Sequence, residues 1–470
     1  MIKNFIIIGL LALSVPCIAE SQFVKFDLET SKTKKFSKKF YKSIIKNWPK
    51  QQKLISKNSN LRPHYIIGQQ LKINSNENYL QWNIYGEFGV GKSNASGTRV
   101  AIIDTGITNH INLQGSLVSG IDMVENHISA NDGDGRDLNP EDPGDYLPEG
   151  SQCDDGSWGS PWSSWHGTHV AGIIAMNGKN NSFVGVNSQV EIVPIRALGS
   201  CGGTLKDVLD SILWASGEKV DNLPNISKSV NIINLSLGGS GKCPASFQQV
   251  LNKAFEKNIL VVVSAGNSAL DLNKYEAFPA NCDGVINVSA SGPNGELTYY
   301  SNFGGKNNVI APGGVDGQGI ISTLNNGINN PEDDIFGEMI GSSMSAPHVT
   351  GVLAGLINEF PEYDSIQIKN FFLFIFQFNQ TVVSLQKTRD LIYLNDGHIP
   401  EVSEEENESG QQNIYAGHSD SGLGGGNSMP IGCGSISSTG QNTTNLFFSF
   451  CLKFCLYFIL KRMAELQALA

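Results

Sequence analysis

Three short segments far apart in the chain hold side chains that could together make a nucleophile. Asp104 ends an apolar run in Asp104-Thr105-Gly106, His166 opens His166-Gly167-Thr168-His169-Val170-Ala171-Gly172, and Ser343 lies in Gly341-Ser342-Ser343-Met344-Ser345-Ala346-Pro347. A serine hydroxyl is a weak nucleophile until a base removes its proton. An imidazole can be that base, and a carboxylate behind it fixes its tautomer and stabilises the imidazolium. Asn267, in Ser264-Ala265-Gly266-Asn267, offers an amide N–H to the negative charge that develops on a carbonyl oxygen under attack. Singly, these residues read as a strand-end turn, a helix cap and a Gly/Ser turn. Together, in the order Asp, His, Asn, Ser, they point to acyl transfer.

Side chains so distant in sequence must be positioned by rigid elements. Continuous Val/Ile/Leu runs occur at Val100 to Asp104, Ile192 to Leu198, Val230 to Leu237, Leu260 to Ser264, Val285 to Val288 and Val309 to Ala311. Runs of this kind, bounded by turn residues, predict strands covered on both faces. Helical patterns lie between them at Thr168 to Met176, Leu205 to Ser216 and Phe247 to Lys257. The alternation predicts an α/β fold with a mostly parallel central sheet and helices on both faces. In such sheets functional groups collect at the carboxyl ends of the strands, where Asp104 and Asn267 stand. Ser343 falls just before a helix rich in small residues (Gly351, Ala354, Gly355), so its backbone N–H would face a developing oxyanion.

Gly86 to Ser93 matches the G-x-x-x-x-G-K-[ST] phosphate loop in full. That motif needs a helix directly after it. Asn94-Ala95-Ser96-Gly97 and then a strand follow instead, so a glycine-rich surface loop is expected.

The formal net charge of −11 is unevenly spread. Residues 1–75 carry 14 Lys and Arg against 3 acidic residues, leaving 19 basic and 41 acidic residues in the rest of the 470. An acidic body argues against nucleic acid as a partner. Residues 1–19, with Lys3, the run Phe5 to Leu13 and Cys17-Ile18-Ala19, have the layout of a secretory signal peptide. Export would let Cys153, Cys201, Cys243 and Cys282 form two disulfides, for which three pairings are open.

The three motifs and Asn267 make the chain resemble the subtilisin-like serine peptidases over roughly residues 79–360, closest to a secreted bacterial branch with a long insert between the Asp and His motifs. The resemblance implies the subtilisin-like three-layer fold and hydrolysis of polypeptides through an acyl-enzyme. Ser343 would be the nucleophile, His166 the base and then the acid, and Asp104 its orienter. Asn267 and the Ser343 N–H would bind the oxyanion. Ser236, Leu237 and Gly238 would pair with substrate backbone, and Ala265, Gly266 and Ala277 would line an uncrowded apolar pocket. His169 matches a structural histidine of the motif. The resemblance favours the pairs Cys153–Cys201 and Cys243–Cys282.

No cofactor is needed for such catalysis, but the family resemblance implies structural calcium. Asp132, Asp134 and Asp137 offer hard oxygen ligands in a glycine-broken loop, although Arg136 spoils an EF-hand spacing. Asn177 to Val186 resembles the family's other calcium loop. Residues 20–76 are expected to be a basic pro-segment that inhibits the acidic body and is removed near 74–80. The catalytic domain is expected over 77–398 and an acidic, then Gly/Ser-rich linker over 399–432. The end, 433–470, with Cys433 and the apolar run Leu446 to Leu460, resembles a sorting signal that would engage a membrane or sorting machinery. The expectation is a secreted monomeric endopeptidase, with a non-catalytic surface binding protein on the same fold as the alternative.

Overall fold

Each apolar run above ends up as a strand or strand pair, and their order is what sequence alone does not give. The computed structural model describes residues 81–394, apart from 95, 154–158, 180–182 and 380, together with 62–63. The expected signal peptide, nearly all of the expected pro-segment, the 74–80 cleavage region, and everything past 394, including Cys433, lie outside the described residues.

In chain order the elements are β1 (Arg62–Pro63), α1 (Trp82–Tyr85), β2 (Arg99–Asp104), β3 (Ile121–Asp122), α2 (His127–Ala130), α3 (His166–Ala175), β4 (Glu191–Arg196), α4 (Leu205–Ala215), β5 (Ile232–Leu235) and β6 (Leu237–Ser240). Then come α5 (Ala245–Glu256), β7 (Leu260–Ser264), β8 (Ala277–Phe278), β9 (Ile286–Ser291), β10 (Asn308–Pro312), β11 (Ile320–Asn325), β12 (Asp334–Met339), α6 (Ser342–Glu359), α7 (Ser365–Asn379) and α8 (Leu385–Leu394).

Seven strands form one sheet in the order β10-β9-β7-β5-β2-β4-β3, and every neighbouring pair is parallel. From β2 the chain builds one flank through β3 and β4, then crosses back and builds the other through β5, β7, β9 and β10. The strand order therefore reverses at β2, and its carboxyl end, Asp104, sits at the switch point where α/β sheets bind ligands.

Alternate strand residues explain the two covered faces. Ala101, Ile103, Val193, Ile195, Ile233, Leu235, Val261 and Val263 pack in one buried cluster with Val208, Ile212 and Ala215 of α4 and Phe247, Leu251 and Ala254 of α5. Residues of the other parity meet α6, where Thr350 Oγ1 donates to Asn234 Oδ1 at 2.9 Å. On another side of α6 a Cβ on Gly351 would lie 2.6 Å from the side chain of Val186, in the segment after α3, so glycine there lets the two pack closely. Thr204 caps α4 by accepting from Asp207 N, with Asp207 in the first turn. Phe371, Phe372 and Phe376 of α7 are buried, so this run is a core helix. No helix among the described residues is long and apolar enough to cross a membrane.

Two features depart from the sequence expectation. The run Val230 to Leu237 splits: β5 stays in the large sheet, while β6 leaves it to pair antiparallel with β8 on one edge and β1 on the other. The β11–β12 hairpin, antiparallel from Ile320↔Met339 to Asn325↔Asp334, was not expected at all. Its polar Asn-rich tip and alternating acids hide the apolar face that packs below α3. A short helix, α1, precedes the glycine loop. That loop runs straight to β2 with no helix behind Lys92-Ser93, and Ser93 Oγ donates to Glu359 at 3.0 Å, as expected for a structural turn.

Both disulfides form, Cys153–Cys201 and Cys243–Cys282, closing loops of 48 and 39 residues in sequence separation. In the loop-entropy account each contributes about 4 kcal/mol. The core can be probed apart from them through Phe247, fully buried and edge-on to Phe278 at 6.0 Å. Phe247→Ala should lower the unfolding free energy by about 3–5 kcal/mol, measured by urea denaturation of protein that also carries Ser343→Ala.

Candidate active site

Two glycines set the approach of the first two motifs. A Cβ on Gly167 would lie 2.1 Å from the Gly106 carbonyl oxygen, and one on Gly106, at φ +100°, would lie 2.9 Å from the backbone of Asp142. Only bare backbone lets the turn after β2 meet the first turn of α3. The result is a buried hydrogen bond of 2.7 Å between His166 Nδ1 and Asp104 Oδ1. The carboxylate can only accept, so Nδ1 carries the proton and Nε2 keeps its lone pair as the basic nitrogen. Asp104 Oδ1 also accepts from Thr105 N at 2.8 Å. Trp165, in the left-handed region at φ 54°, precedes His166; its buried indole donates to the Gly327 carbonyl at 2.8 Å and fixes the entry to α3.

Ser343 stands in the first turn of α6, whose leading N–H groups have no intrahelical partner. Its hydroxyl donates to the Ser236 carbonyl at 2.8 Å, and the Ser236 hydroxyl donates to the Ser343 carbonyl at 2.9 Å. Pro347 explains the second bond. Proline has no N–H to give to the carbonyl four residues earlier, which is that of Ser343, so Ser236 supplies the missing donor. The Ser343 hydroxyl is thus held against the segment that leads into β6.

Asn267 joins the same place from the end of β7. Its Oδ1 accepts from Ser342 N at 2.9 Å, while Ser342 Oγ accepts from Gly266 N at 2.9 Å. These bonds orient the amide, and its Nδ2 is buried with no hydrogen-bond partner. Leaving a buried donor unpaired costs about 1–3 kcal/mol. A donor held in this way is suited to charge that appears only during a reaction. Asn302, which the sequence did not flag, locks the loop: its Nδ2 donates to the Ala265 carbonyl at 2.8 Å, and its Oδ1 accepts from Ser268 N and Leu270 N at 3.0 and 2.9 Å.

The structure places the remaining expected residues as follows. Leu237 and Gly238 lie in β6, in register with Pro63 and Arg62 of β1, and Ala277 lies in β8 beside them. His169 Nε2 contacts the carbonyls of Ile320 and Gly337 at 3.0 and 3.2 Å, and burial pushes its pKa down to about 3. His348, with Nδ1 at 2.7 Å from the Met344 carbonyl and Nε2 at 2.8 Å from Asn83 Nδ2, is pushed down to about 4, again by burial. Both are neutral struts that fasten the hairpin and α1 to the helices of the site.

The acidic loop does not make a cation cage of three converging carboxylates. Asp132 Oδ2 lies 2.5 Å from Arg196 Nη1, and Arg196 also binds Asp122 and the Ala130 carbonyl. Asp137 Oδ1 accepts from Asn139 N at 2.8 Å. Among the described residues no group of three or more His, Cys, Asp or Glu side chains is arranged to hold a metal ion. Arg136, which interrupts the loop, binds Asp207 and Asp210 of α4, each at 2.6 Å.

Comparison with known proteins agrees with this geometry. The family model described as "Subtilase family" matches residues 95–374. An "Extracellular protease" of Xanthomonas campestris pv. campestris is 42% identical over 264 residues, covering 56% of this chain and 44% of that protein. An "Extracellular basic protease" of Dichelobacter nodosus is 36% identical over 292 residues, covering 59% of this chain and 47% of that protein. A solved protease structure from Pseudoalteromonas arctica is 39% identical with a TM-score of 0.58, covering 62% of this chain and 88% of the other. The matched stretch therefore spans less than half the length of the two curated relatives.

If the unpaired amide of Asn267 is an oxyanion donor, Asn267→Ala should lower kcat by roughly 100- to 1000-fold with little change in KM, the range found for such an amide in a subtilisin. Steady-state kinetics on a chromogenic peptide would read it.

Proposed function

The chain belongs to the subtilase family, and we propose that it is a secreted serine endopeptidase that cuts polypeptides through an acyl-enzyme on Ser343. The observation that carries this reading is the pair of buried features converging on one sheet end: the 2.7 Å His166–Asp104 bond and the unpartnered Asn267 Nδ2 beside the start of α6. In the reaction His166 Nε2 takes the Ser343 hydroxyl proton as Oγ bonds to the scissile carbonyl carbon. The oxyanion accepts from Asn267 Nδ2 and the Ser343 N–H. His166 then gives its proton to the leaving amine as the C–N bond breaks. A water, deprotonated by His166, attacks the ester; the C–Oγ bond breaks and Ser343 recovers its proton. Asp104 stays ionised throughout and stabilises the imidazolium.

Substrate would lie extended along β6, whose backbone reads a peptide by main-chain hydrogen bonds. The same edge supports the precursor part of the proposal. Arg62 and Pro63, from the basic head, pair antiparallel with Gly238 and Leu237, on the strand that substrate would use. We take residues 20–76 as an intramolecular inhibitor removed by self-cleavage, and 433–470 as a sorting or anchoring segment. Export follows from the signal-peptide pattern and from relatives named as extracellular; the working form is taken as a monomer.

Calcium enters only as a structural ion outside this chemistry. Because Arg196 holds the Asp132 carboxylate, calcium is proposed here without being assigned to the Asp132–Asp137 loop. A chelator should then lower Tm of the folded protein while Ser343 still reacts with a phosphonylating reagent. An unchanged Tm would remove calcium from the proposal.

The whole reading is tested on mature protein incubated with casein, with and without a serine-directed phosphonylating reagent. Cleavage, its loss on treatment, and a label on Ser343 by mass spectrometry are expected; Ser343→Ala should abolish both and retain residues 20–76 in purified protein. Folded protein with neither cleavage nor label would favour a non-catalytic binding protein.

A further inference from the structure

We propose that Asp142 and Asp145, the two ends of Asp142-Pro143-Gly144-Asp145 in the insert, are positioning residues that set the Asp104–His166 pair by acting through Thr105 and Ser164. The proposal rests on the serine-peptidase reading above and deepens it.

Asp142 is buried, and its two oxygens take different donors: Oδ2 accepts from Thr105 Oγ1 at 2.7 Å and Oδ1 from Gly144 N at 2.9 Å. Thr105 Oγ1 in turn accepts from Gly167 N at 3.0 Å. One hydroxyl thus ties the residue after Asp104 to the residue after His166. Asp145 repeats the device on the other side of the histidine. Its carboxylate accepts from Ser164 N at 2.5 Å and Ser164 Oγ at 2.7 Å, and Ser164 Oγ accepts from His166 N at 3.3 Å. The backbone N–H groups of His166 and Gly167 open α3 and have no partner within the helix. Each meets a hydroxyl whose own proton is directed to a carboxyl oxygen, a bond that is charge-assisted whenever that carboxyl is ionised.

The insert is itself fixed against the site. Ile107 N donates to the Pro140 carbonyl at 3.2 Å, and Asn131 Nδ2 donates to the carbonyls of Gly144 and Tyr146 at 3.0 and 2.8 Å. A Cβ on Gly144 would lie 2.0 Å from the Asn329 carbonyl oxygen, so the turn is wedged against the β11–β12 hairpin. The groups facing these acids are few. Burial first, then the charge of Asp145, push Asp142 up to about 7, opposed by Thr105, Arg196 and Gly144 N. Burial pushes Asp145 up, opposed by Ser164 and the nearby His166. Asparagine has one acceptor oxygen where each of these carboxylates uses two, so Asp→Asn leaves one converging donor unpaired at either site.

The test has two arms on the full chain. In Ser343→Ala protein, the NMR signal of the His166 Nδ1 proton and its pH titration are followed with no need for activity. Asp142→Asn and Asp145→Asn should shift that titration or broaden the signal away. Thr105→Val and Ser164→Ala should do the same, and Thr105→Ser should restore it. In active protein, kcat per site labelled by phosphonylation should fall roughly 10- to 100-fold with KM held within about threefold. If an Asp variant does not fold, the Thr105 and Ser164 variants decide alone. An unmoved His166 signal with unchanged kcat per labelled site would overturn the proposal. So would a loss of activity matched entirely by fewer labelled sites. Failure of the parent protein to cleave or label would instead count against the peptidase reading, while the NMR arm still decides the positioning.

Discussion

The contact between the turn after β2 and the first turn of α3 is the constraint on which the rest depends. Gly167 sits where any side chain would strike the Gly106 carbonyl, and that closeness is what makes a 2.7 Å bond between Asp104 and His166 available. The parallel sheet supplies the frame, because β2 lies at its switch point and ends at Asp104. The neutral histidines His169 and His348 serve the same end by tying the hairpin and α1 to α3 and α6 without placing charge in the interior. Much of the site's polar structure reads as support for one short hydrogen bond.

A second constraint works at Ser343. Pro347 would be a liability inside an ordinary helix, since it leaves a carbonyl without its donor. Here that carbonyl belongs to Ser343, and Ser236 uses it, so the missing helix bond becomes the bond that fastens α6 to the segment between β5 and β6. The same residue explains why β5 and β6 are two strands. At Ser236 the chain turns its side chain and its carbonyl toward Ser343, and the segment beyond can no longer follow β7. It is released to form an edge that another peptide can join, as β1 does.

How much of this was legible follows from which forces act locally. The motifs were readable because each encodes a local need: glycine at a close approach, a strand end, a helix start. The central strands were readable because burial on both faces writes itself as unbroken Val/Ile runs. The disulfide pairs came from family resemblance, since spacing alone left three pairings. What escaped depends on partners distant in sequence. Asp132 reads as a calcium ligand beside Asp134 and Asp137, but Arg196, 64 residues away, takes its carboxylate. Asp142 and Asp145 draw no attention in the sequence, although they reach Thr105 and Ser164. Neither composition nor spacing separates a carboxylate that faces water from one that holds a hydroxyl beside a buried histidine.

The buried atoms left unpaired sharpen that distinction. Asp104 Oδ2 and Asn267 Nδ2 are both enclosed without a hydrogen-bond partner. Other buried atoms share that condition, Asn187 Nδ2 and Asn287 Oδ1 among them, and what sets these two apart is their place at the carboxyl end of the sheet beside His166 and the start of α6. On the proposed mechanism both face charge that appears only transiently: an imidazolium beside Asp104 and an oxyanion beside Asn267. A preorganised donor that need not reorient lowers the barrier by what it would otherwise lose in reorganisation. The well-satisfied shell of Thr105, Ser164, Ser342 and Asn302 holds the reacting atoms still, and the unsatisfied centre is what that rigidity makes room for.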